Sequence, residues 1–467
     1  MQCIQGAYEY LMVLAETTPT YNLKVVVQET GIKPDTLRAW ERRYGLPQPD
    51  RTSGGHRLYS QRDIETVKWL LTRQDEGLSI SRAIELWHSL EEEGRNPLSE
   101  MAYNGGQVTG VDNNVHIRPP SLKSTTIVQD LDEVRRAWVK ACLSFDEAAA
   151  ERIIKQALAV FPSEAVCLNI LQQGIAEIGA DWFNNKVSVQ QEHFASALAM
   201  RQLNALLTAA PPPTRRQRIL VTCPPTENHT FSTLLLTLML RYRGWGVVYL
   251  GANVPIARLE TTIEQVKPHL IILTAQQLYS AAMLYNVAEF LQSQDEPIKL
   301  AYGGLIFNHR PSLRQRIPGF FLGETFEEAV EVVESIISGT VEAKPIEPVP
   351  EPYREALEHY LAQQVLIDST AWGEMKSMPI AYEHIKNANY HLSQNIIAAL
   401  TFGEVDLLDE ELNWLEKLLT NHGLQKNNIG PYMAVHQRAS QAHLDERGQP
   451  LLNWLAETVE AYDSGSK

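Results

Sequence analysis

Two glutamate–histidine arrangements in the chain are of the kind that does chemistry. In "TENHTFS" (226–232), Glu227 stands two residues before His229. An imidazole beside a carboxylate can ligate a metal through one ring nitrogen, while the carboxylate takes the proton of the other and fixes the tautomer. Taken alone, the pair fits such a ligand and equally an ordinary loop histidine. In "WFNNKVSVQQEH" (182–193), nine residues separate Trp182 from Glu192 and His193. That joins a broad aromatic surface to hydrogen-bonding groups. A third set is cationic. The run "TLRAWERRYGLPQPDRTSGGHRLYS" carries Arg38, Arg42, Arg43, Arg51, His56, Arg57 and Tyr59, types that hold phosphates by charge and by hydroxyl donation. The four cysteines (Cys3, Cys142, Cys167, Cys223) are scattered without metal spacing, and fit buried, free thiols in a reducing cytoplasm.

The elements that position these residues follow from composition and periodicity. A chain of 467 residues, 44% apolar and 21% charged, is a soluble multidomain composition. It has no apolar run long enough to span a membrane, and its first residues do not read as a signal peptide. A net charge of −15 speaks against a nonspecific nucleic-acid coat. Residues 24–73, however, hold ten Lys/Arg against six Asp/Glu, a local +4 that leaves about −19 elsewhere. A small basic module on an acidic body suits sequence-specific DNA binding.

Residues 21–90 predict a winged helix-turn-helix. Gly31 stops one helix, Pro34 or Asp35 starts the next, and "RTSGGHRLYS" makes a glycine-hinged wing. Trp40 and Leu58 are expected in its core. Residues 91–126 are rich in Gly, Asn, Pro and Ser and predict a flexible linker. Residues 127–209 have helical spacing and few breakers, predicting a four-helix bundle. From 215 to 340 the short apolar runs "RILVTC", "GVVYLGA", "LIILTA", "IKLAYGG" and "GFFLGE" alternate with helical segments. That pattern predicts a doubly wound domain on a five-stranded parallel sheet. Residues 341–353 are a proline-rich spacer, and 354–463 are all-α. Six of the 13 histidines fall in that last segment (His359, His384, His391, His422, His436, His443) and are expected to be solvated. Its stretch "NIIAALTFGEVDLLDEELNWL" weakly resembles "WVKACLSFDEAAAERIIKQAL" (138–158). An interaction or oligomerisation bundle is expected there.

Three of these motifs, in this order, resemble a known family. The run from Thr36 to Ile64 looks like the winged helix of MerR-type transcription regulators. "ENHTFS" resembles the cobalamin-binding signature Asp/Glu-x-His-x-x-Gly, "GVVYLGANVP" its second strand and loop, Thr274 of "TAQQ" its strand-end hydroxyl, and Gly303-Gly304 of "YGG" its glycine pair. Trp-x9-Glu-His resembles the helical cap of the CarH/LitR cobalamin-dependent photoreceptors.

The resemblance implies that His229 is the lower axial ligand of cobalt, and that Gly303 and Gly304 leave room for the displaced nucleotide tail. It also implies that Trp182 packs against the upper ligand of adenosylcobalamin, with Glu192 and His193 near the same cavity. Two positions depart from the pattern: Ser232 stands where Gly is usual, and Phe183 where the best-known members place a cobalt-capturing His. With Phe183 unable to coordinate, His193 or water is expected above the metal after photolysis. The function implied is a non-enzymatic, cytoplasmic regulator. Light breaks its cobalt–carbon bond, changing self-assembly as dimer or tetramer and binding to double-stranded operator DNA. Repression in the dark of photoprotective genes is implied as well, and residues 354–463 offer a surface for a protein partner. The alternatives are a MerR-type regulator whose degenerate cobalamin domain senses a tetrapyrrole, redox state or partner, and a corrinoid methyl carrier.

Overall fold

Gly31 takes a left-handed φ of 70° and ends a first helix, α1 (Leu23–Thr30), three residues before Pro34 opens α2 (Pro34–Tyr44). In the computed structural model the described residues are 23–51, 57–75, 78–92, 130–294, 297–376, 378, 382–423 and 428–465. The chain divides between Ile127 and Val128 into two compact units.

The first unit continues with an antiparallel hairpin, β1 (Asp50–Arg51) and β2 (Arg57–Leu58), then α3 (Gln61–Asp75) and α4 (Ile80–Glu92). Its core gathers Val26, Leu37, Trp40, Leu46, Tyr59, Ile64 and Leu70, with Trp69 edge-on to Trp87 at 5.3 Å. Leu58 is only half-buried. The linker expected at 91–126 lies almost wholly outside the described residues.

The second unit begins with four helices: α5 (Leu131–Leu143), α6 (Glu147–Val160), α7 and α8 (Val189–Ala209). α7 runs through Ser163–Val166, a π-helical turn at Cys167–Gln172, and Gln173–Phe183. Asp130 and Asp146 cap the starts of α5 and α6, satisfying backbone donors that a helix leaves open. At the start of α8, Ser188 and Gln191 form a reciprocal capping box. Gln191 Nε2 also donates to the Leu143 carbonyl at 2.6 Å. That bond ties α8 to the end of α5 and sets the turn carrying Glu192 and His193.

The sheet follows: β3 (Arg218–Thr222), α9 (Phe231–Tyr242), β4 (Gly246–Gly251), α10 (Leu259–Val266), β5 (Leu270–Thr274), α11 (Leu278–Gln292), β6 (Leu300–Gly303), α12 (Leu305–His309), β7 (Phe320–Phe321) and α13 (Phe326–Ser338). Its order is β4-β3-β5-β6-β7, and every pairing is parallel. The central strands β3, β5 and β6 are buried nearly throughout, which is why they read as unbroken apolar runs, whereas the edge strands β4 and β7 are mostly half-buried. The winding direction reverses between β3 and β5, so their carboxyl ends open a crevice.

After α13 the spacer is extended. Arg316 holds it against the sheet domain by donating to the carbonyls of Glu347 and Pro348 at 3.1 and 2.9 Å. Five helices complete the chain: α14 (Glu351–Met375), α15 (Tyr382–Phe402), α16 (Leu407–Asn421), α17 (Ile429–His443) and α18 (Gln449–Asp463). The expected internal similarity holds at the turns, one residue out of step. Asp146 N–H bonds Ala141 O, and Glu404 N–H bonds Ala399 O, both at 3.0 Å. The left-handed residue is Phe145 in one hairpin and Gly403 in the other, whereas the sequences align Phe145 with Phe402. The solvated histidines need correction: His359, His384 and His436 are buried, because the bundle uses them as polar core residues.

Candidate functional site

The loop after β3 lies at the reversal point, and its polar atoms converge on one carboxylate. Glu227 is fully buried. Its Oε1 lies 2.5 Å from His229 Nδ1 and accepts the His229 backbone N–H at 2.9 Å. Its Oε2 accepts the Gln276 backbone N–H and the Ser280 hydroxyl, each at 2.7 Å. Burial alone would push this carboxyl up; the bond and charge of His229, with the Ser280 and Gln276 donors, outweigh it and hold the pKa below its ordinary value. The carboxylate is therefore anionic and accepts at Nδ1, which carries a ring proton, leaving Nε2 as the ring nitrogen not engaged by Glu227.

That Nε2 is buried and has no hydrogen-bond partner. Leaving a buried polar atom unsatisfied costs about 1–3 kcal/mol, so the atom fits a ligand that takes its lone pair. Among the described residues no group of three or more His, Cys, Asp or Glu is arranged for a metal ion. The donor set thus fits a metal whose other ligands come from its own macrocycle. Gln276, Ser280 and Asn253 are site residues the sequence reading missed. Asn253 accepts the Thr226 N–H at 2.8 Å and donates its own N–H to the Glu227 carbonyl at 2.9 Å. The signal for Gln276 was its place just past a strand end beside the reversal point.

Thr274 and Ser232 fall beside this loop. The Thr274 hydroxyl is 2.6 Å from that of Thr233, which in turn lies 3.2 Å from Cys223 Sγ. Ser232 is half-buried in the first turn of α9. The glycine pair lies at the end of β6 and just beyond it. A side chain at Gly304, where φ is 121°, would strike the carbonyl oxygen of Ala275. The missing Cβ there serves the close approach of two backbones. At Gly303 a Cβ would meet Leu322 at an ordinary 3.6 Å. The thiols behave as expected where described: burial pushes Cys142 and Cys167 up to about 12 and Cys223 to about 11. Cys3 lies outside the described residues.

On the cap, Trp182 is buried and stands at the end of α7. What meets it comes from the carboxy-terminal bundle. The His422 ring lies 5.3 Å from the Trp182 ring, and His422 Nε2 donates to the Trp182 carbonyl at 3.1 Å. Asn421 Nδ2 donates to the Phe183 carbonyl at 3.0 Å, and Phe183 stacks on Trp414 at 5.9 Å. Burial lowers the His422 pKa against the opposing pull of the carbonyl, which favours the neutral ring. The Glu192 side chain is mostly buried; it accepts the Ser196 hydroxyl at 2.6 Å and lies 3.1 Å from His193 Nδ1. The His193 side chain is 55% exposed. The bundle also packs on α11, through Tyr279 with His391 at 6.2 Å and Tyr285 with Phe402 at 6.1 Å. It therefore touches both the cap and the sheet domain.

In the first unit Arg42 and Arg43 are exposed on α2, and Arg38 pairs with Asp35 at 3.2 Å. Arg51 faces Arg57 across the hairpin ladder. Arg57 Nε donates to Glu41 at 2.7 Å, clamping the wing to α2. Tyr59 needs correction: it is a core residue, fully buried, with its hydroxyl unpartnered. His56 lies outside the described residues.

Residues 21–90 match the MerR HTH family of regulatory proteins. Residues 134–207 and 217–333 each match a B12 binding domain. The HTH-type transcriptional repressor CarA of Myxococcus xanthus is 28% identical over 320 residues, 68% of this chain and 96% of CarA. The repressor CarH of the same organism is 29% identical over 262 residues, 56% of this chain and 81% of CarH. A monomethylamine corrinoid protein of Methanosarcina barkeri, 19% identical, covers 44% of this chain and 100% of its own, at a TM-score of 0.36 too low to carry an argument. No helix of the described residues is long and apolar enough to cross a membrane.

Proposed function

We infer from a chain that joins a MerR-type helix-turn-helix domain to two B12-binding domains, homologous to the CarA and CarH repressors, that it regulates transcription by binding operator DNA under the control of light and adenosylcobalamin. The observation that carries this reading is the buried, unpartnered Nε2 of His229, its ring fixed by Glu227.

In this reading His229 Nε2 would hold the cobalt, Glu227 orients the ring by holding its Nδ1 proton, and Thr274 and Ser232 would line the cofactor's tail. Trp182 would cover the cofactor from the cap, with Glu192 offering an acceptor. The cofactor, when bound, supplies a weak cobalt–carbon bond that visible light breaks. The protein's part is mechanical. Trp182 and Phe183 are gripped through side chain and backbone by Trp414, Asn421 and His422, so a displacement of the cap pulls on the bundle. Arg38, Arg42 and Arg43 of α2 read the major groove, and Arg51, His56 and Arg57 hold phosphates. One such module makes few contacts, so operator affinity depends on how many copies are assembled. That both relatives are repressors favours a regulator over an enzyme.

Protein purified with adenosylcobalamin in darkness tests the reading. A photolysable complex is expected, with operator binding that changes on illumination, and His229→Ala is expected to abolish uptake. Uptake and light response that survive His229→Ala would overturn the assignment. Failure of the wild type to take up any corrinoid would leave a regulator that senses another ligand.

A further inference from the structure

Helix α14 is buried on one side only. Ala356, His359, Tyr360, Ile367, Ala371 and Met375 face the bundle. The other side is exposed along a single seam: Glu355, Glu358, Ala362, Val365 with Leu366, Ser369, Gly373 and, one residue past the helix end, Lys376. These positions recur at three- and four-residue steps, the spacing by which one helix meets another along its length. The centre of the seam is apolar. Val365 is 79% exposed and Leu366 51%, and neighbouring Leu361 is 48% exposed. Scattered exposed apolar residues need no explanation, but three within six residues on one helix do. Apart from His359, Asp368 is the only acidic or basic residue between Glu358 and Glu374.

Two further features identify the occupant. Gly373 lies inside the helix, where glycine is a poor helix former, yet a Cβ there would meet nothing within 4 Å. Packing within the chain does not call for it, whereas a second helix approaching closely would. The charges at the ends of the seam are also self-complementary. A two-fold axis between Val365 and Leu366 sets Glu355 opposite the partner's Lys376, Glu358 opposite the partner's Gly373, and Ala362 opposite the partner's Ser369. Opposite charges fall at both ends, each position between them sets a small residue (Gly373, Ala362 or Ser369) on at least one side, and the apolar pair lies on the axis.

We propose that α14 is the seam of an antiparallel homodimer, a second copy of this chain covering the stripe isologously. A single helix pair is a small interface, so association is weak and concentration-dependent. The seam requires no cofactor. Its test is run on corrinoid-free protein, and its failure leaves the cobalamin reading standing.

Sedimentation equilibrium of the full-length protein from about 1 to 100 µM reads the seam. The mass is expected to rise from that of the 52.6 kDa chain toward twice that value, or from a dimer toward larger even assemblies. Val365→Asp with Leu366→Asp, on an exposed face, should halve the assembly at a given concentration while the circular dichroism spectrum stays native. Glu355→Lys and Lys376→Glu should each weaken association about tenfold, and the two together should restore it. A wild type that stays monomeric throughout would overturn the proposal. So would a folded Val365/Leu366 variant that assembles unchanged, or a charge swap no better than its single substitutions.

Discussion

Glu227 accepts from four donors at once, two of them backbone amides, and this ties the chemistry of His229 to the fold. Glu227→Gln keeps the shape but removes the charge that holds the Nδ1 proton. Partners of a metal-ligating imidazole carry about 10–100-fold in affinity. Corrinoid titration of this variant is expected to show a loss in that range, and the apo-protein is expected to unfold more easily by about 1–3 kcal/mol, because the new amide NH2 faces two donors. Equal affinities would remove Glu227 from the site. Tyr59 makes the opposite case. Its buried hydroxyl has no partner, so Tyr59→Phe removes an unsatisfied group and is expected to leave the winged-helix unit as stable or up to ~1 kcal/mol more stable. DNA affinity should be unchanged. A tenfold loss of operator binding would restore the phosphate role that its burial denies.

Among the elements, α16 is the one whose position sequence reasoning did not supply. Its far end delivers Trp414, Asn421 and His422 to the last turn of α7. Helix ends leave carbonyls short of partners, and here two at the end of α7 are bonded by another domain: Phe183 by Asn421, and Trp182, which also accepts the Asn185 N–H at 2.8 Å, by His422. Trp414→Ala removes the stacked Phe183 contact, an aromatic pair that contributes about 0.5–1.5 kcal/mol. Hydrogen exchange should then speed up in the backbone around residues 182–188 and around 414–422 together, with the sheet domain unaffected. Acceleration confined to α16 would mean that the bundle does not grip the cap. Phe183, which cannot ligate a metal, is accordingly a docking residue.

At the scale of the whole molecule, His436, buried in the bundle, sets an acid limit. His436 is held by Asn389, whose Oδ1 also accepts the Tyr432 hydroxyl at 2.9 Å. Burial pulls the His436 pKa down to about 4, whereas in the unfolded chain it titrates near its ordinary value of about 6.5. Between those values the unfolded state binds more protons, so stability is lost as the pH falls. From about pH 7 to pH 5 this one residue removes roughly 2 kcal/mol. Urea unfolding of the wild type and His436→Gln at both pH values checks it: the wild type should lose that much more than the variant. Parallel losses would show that His436 becomes protonated without unfolding. The same bundle touches the cap at Trp182 and the sheet domain at α11. A ligand that moves one against the other therefore strains a third domain outside the residues matched to B12-binding families.

Local signals made much of this readable from the chain. Gly31 and Pro34 bracket the helix-turn-helix, apolar runs mark five strands, the central three of them buried, and the Glu227–His229 spacing marks a loop at a strand end. These depend on backbone preference and periodicity, which a short segment carries in itself. Tertiary structure alone decided which polar atoms meet. Gln276 and Ser280 reach Glu227 across about fifty residues because the sheet reverses its winding between β3 and β5. Tyr59 is taken into the core of the winged-helix unit, and Gly304 lies against the Ala275 carbonyl. His422 finds Trp182 across 240 residues. Contacts of that range depend on packing between elements, and no local pattern encodes them.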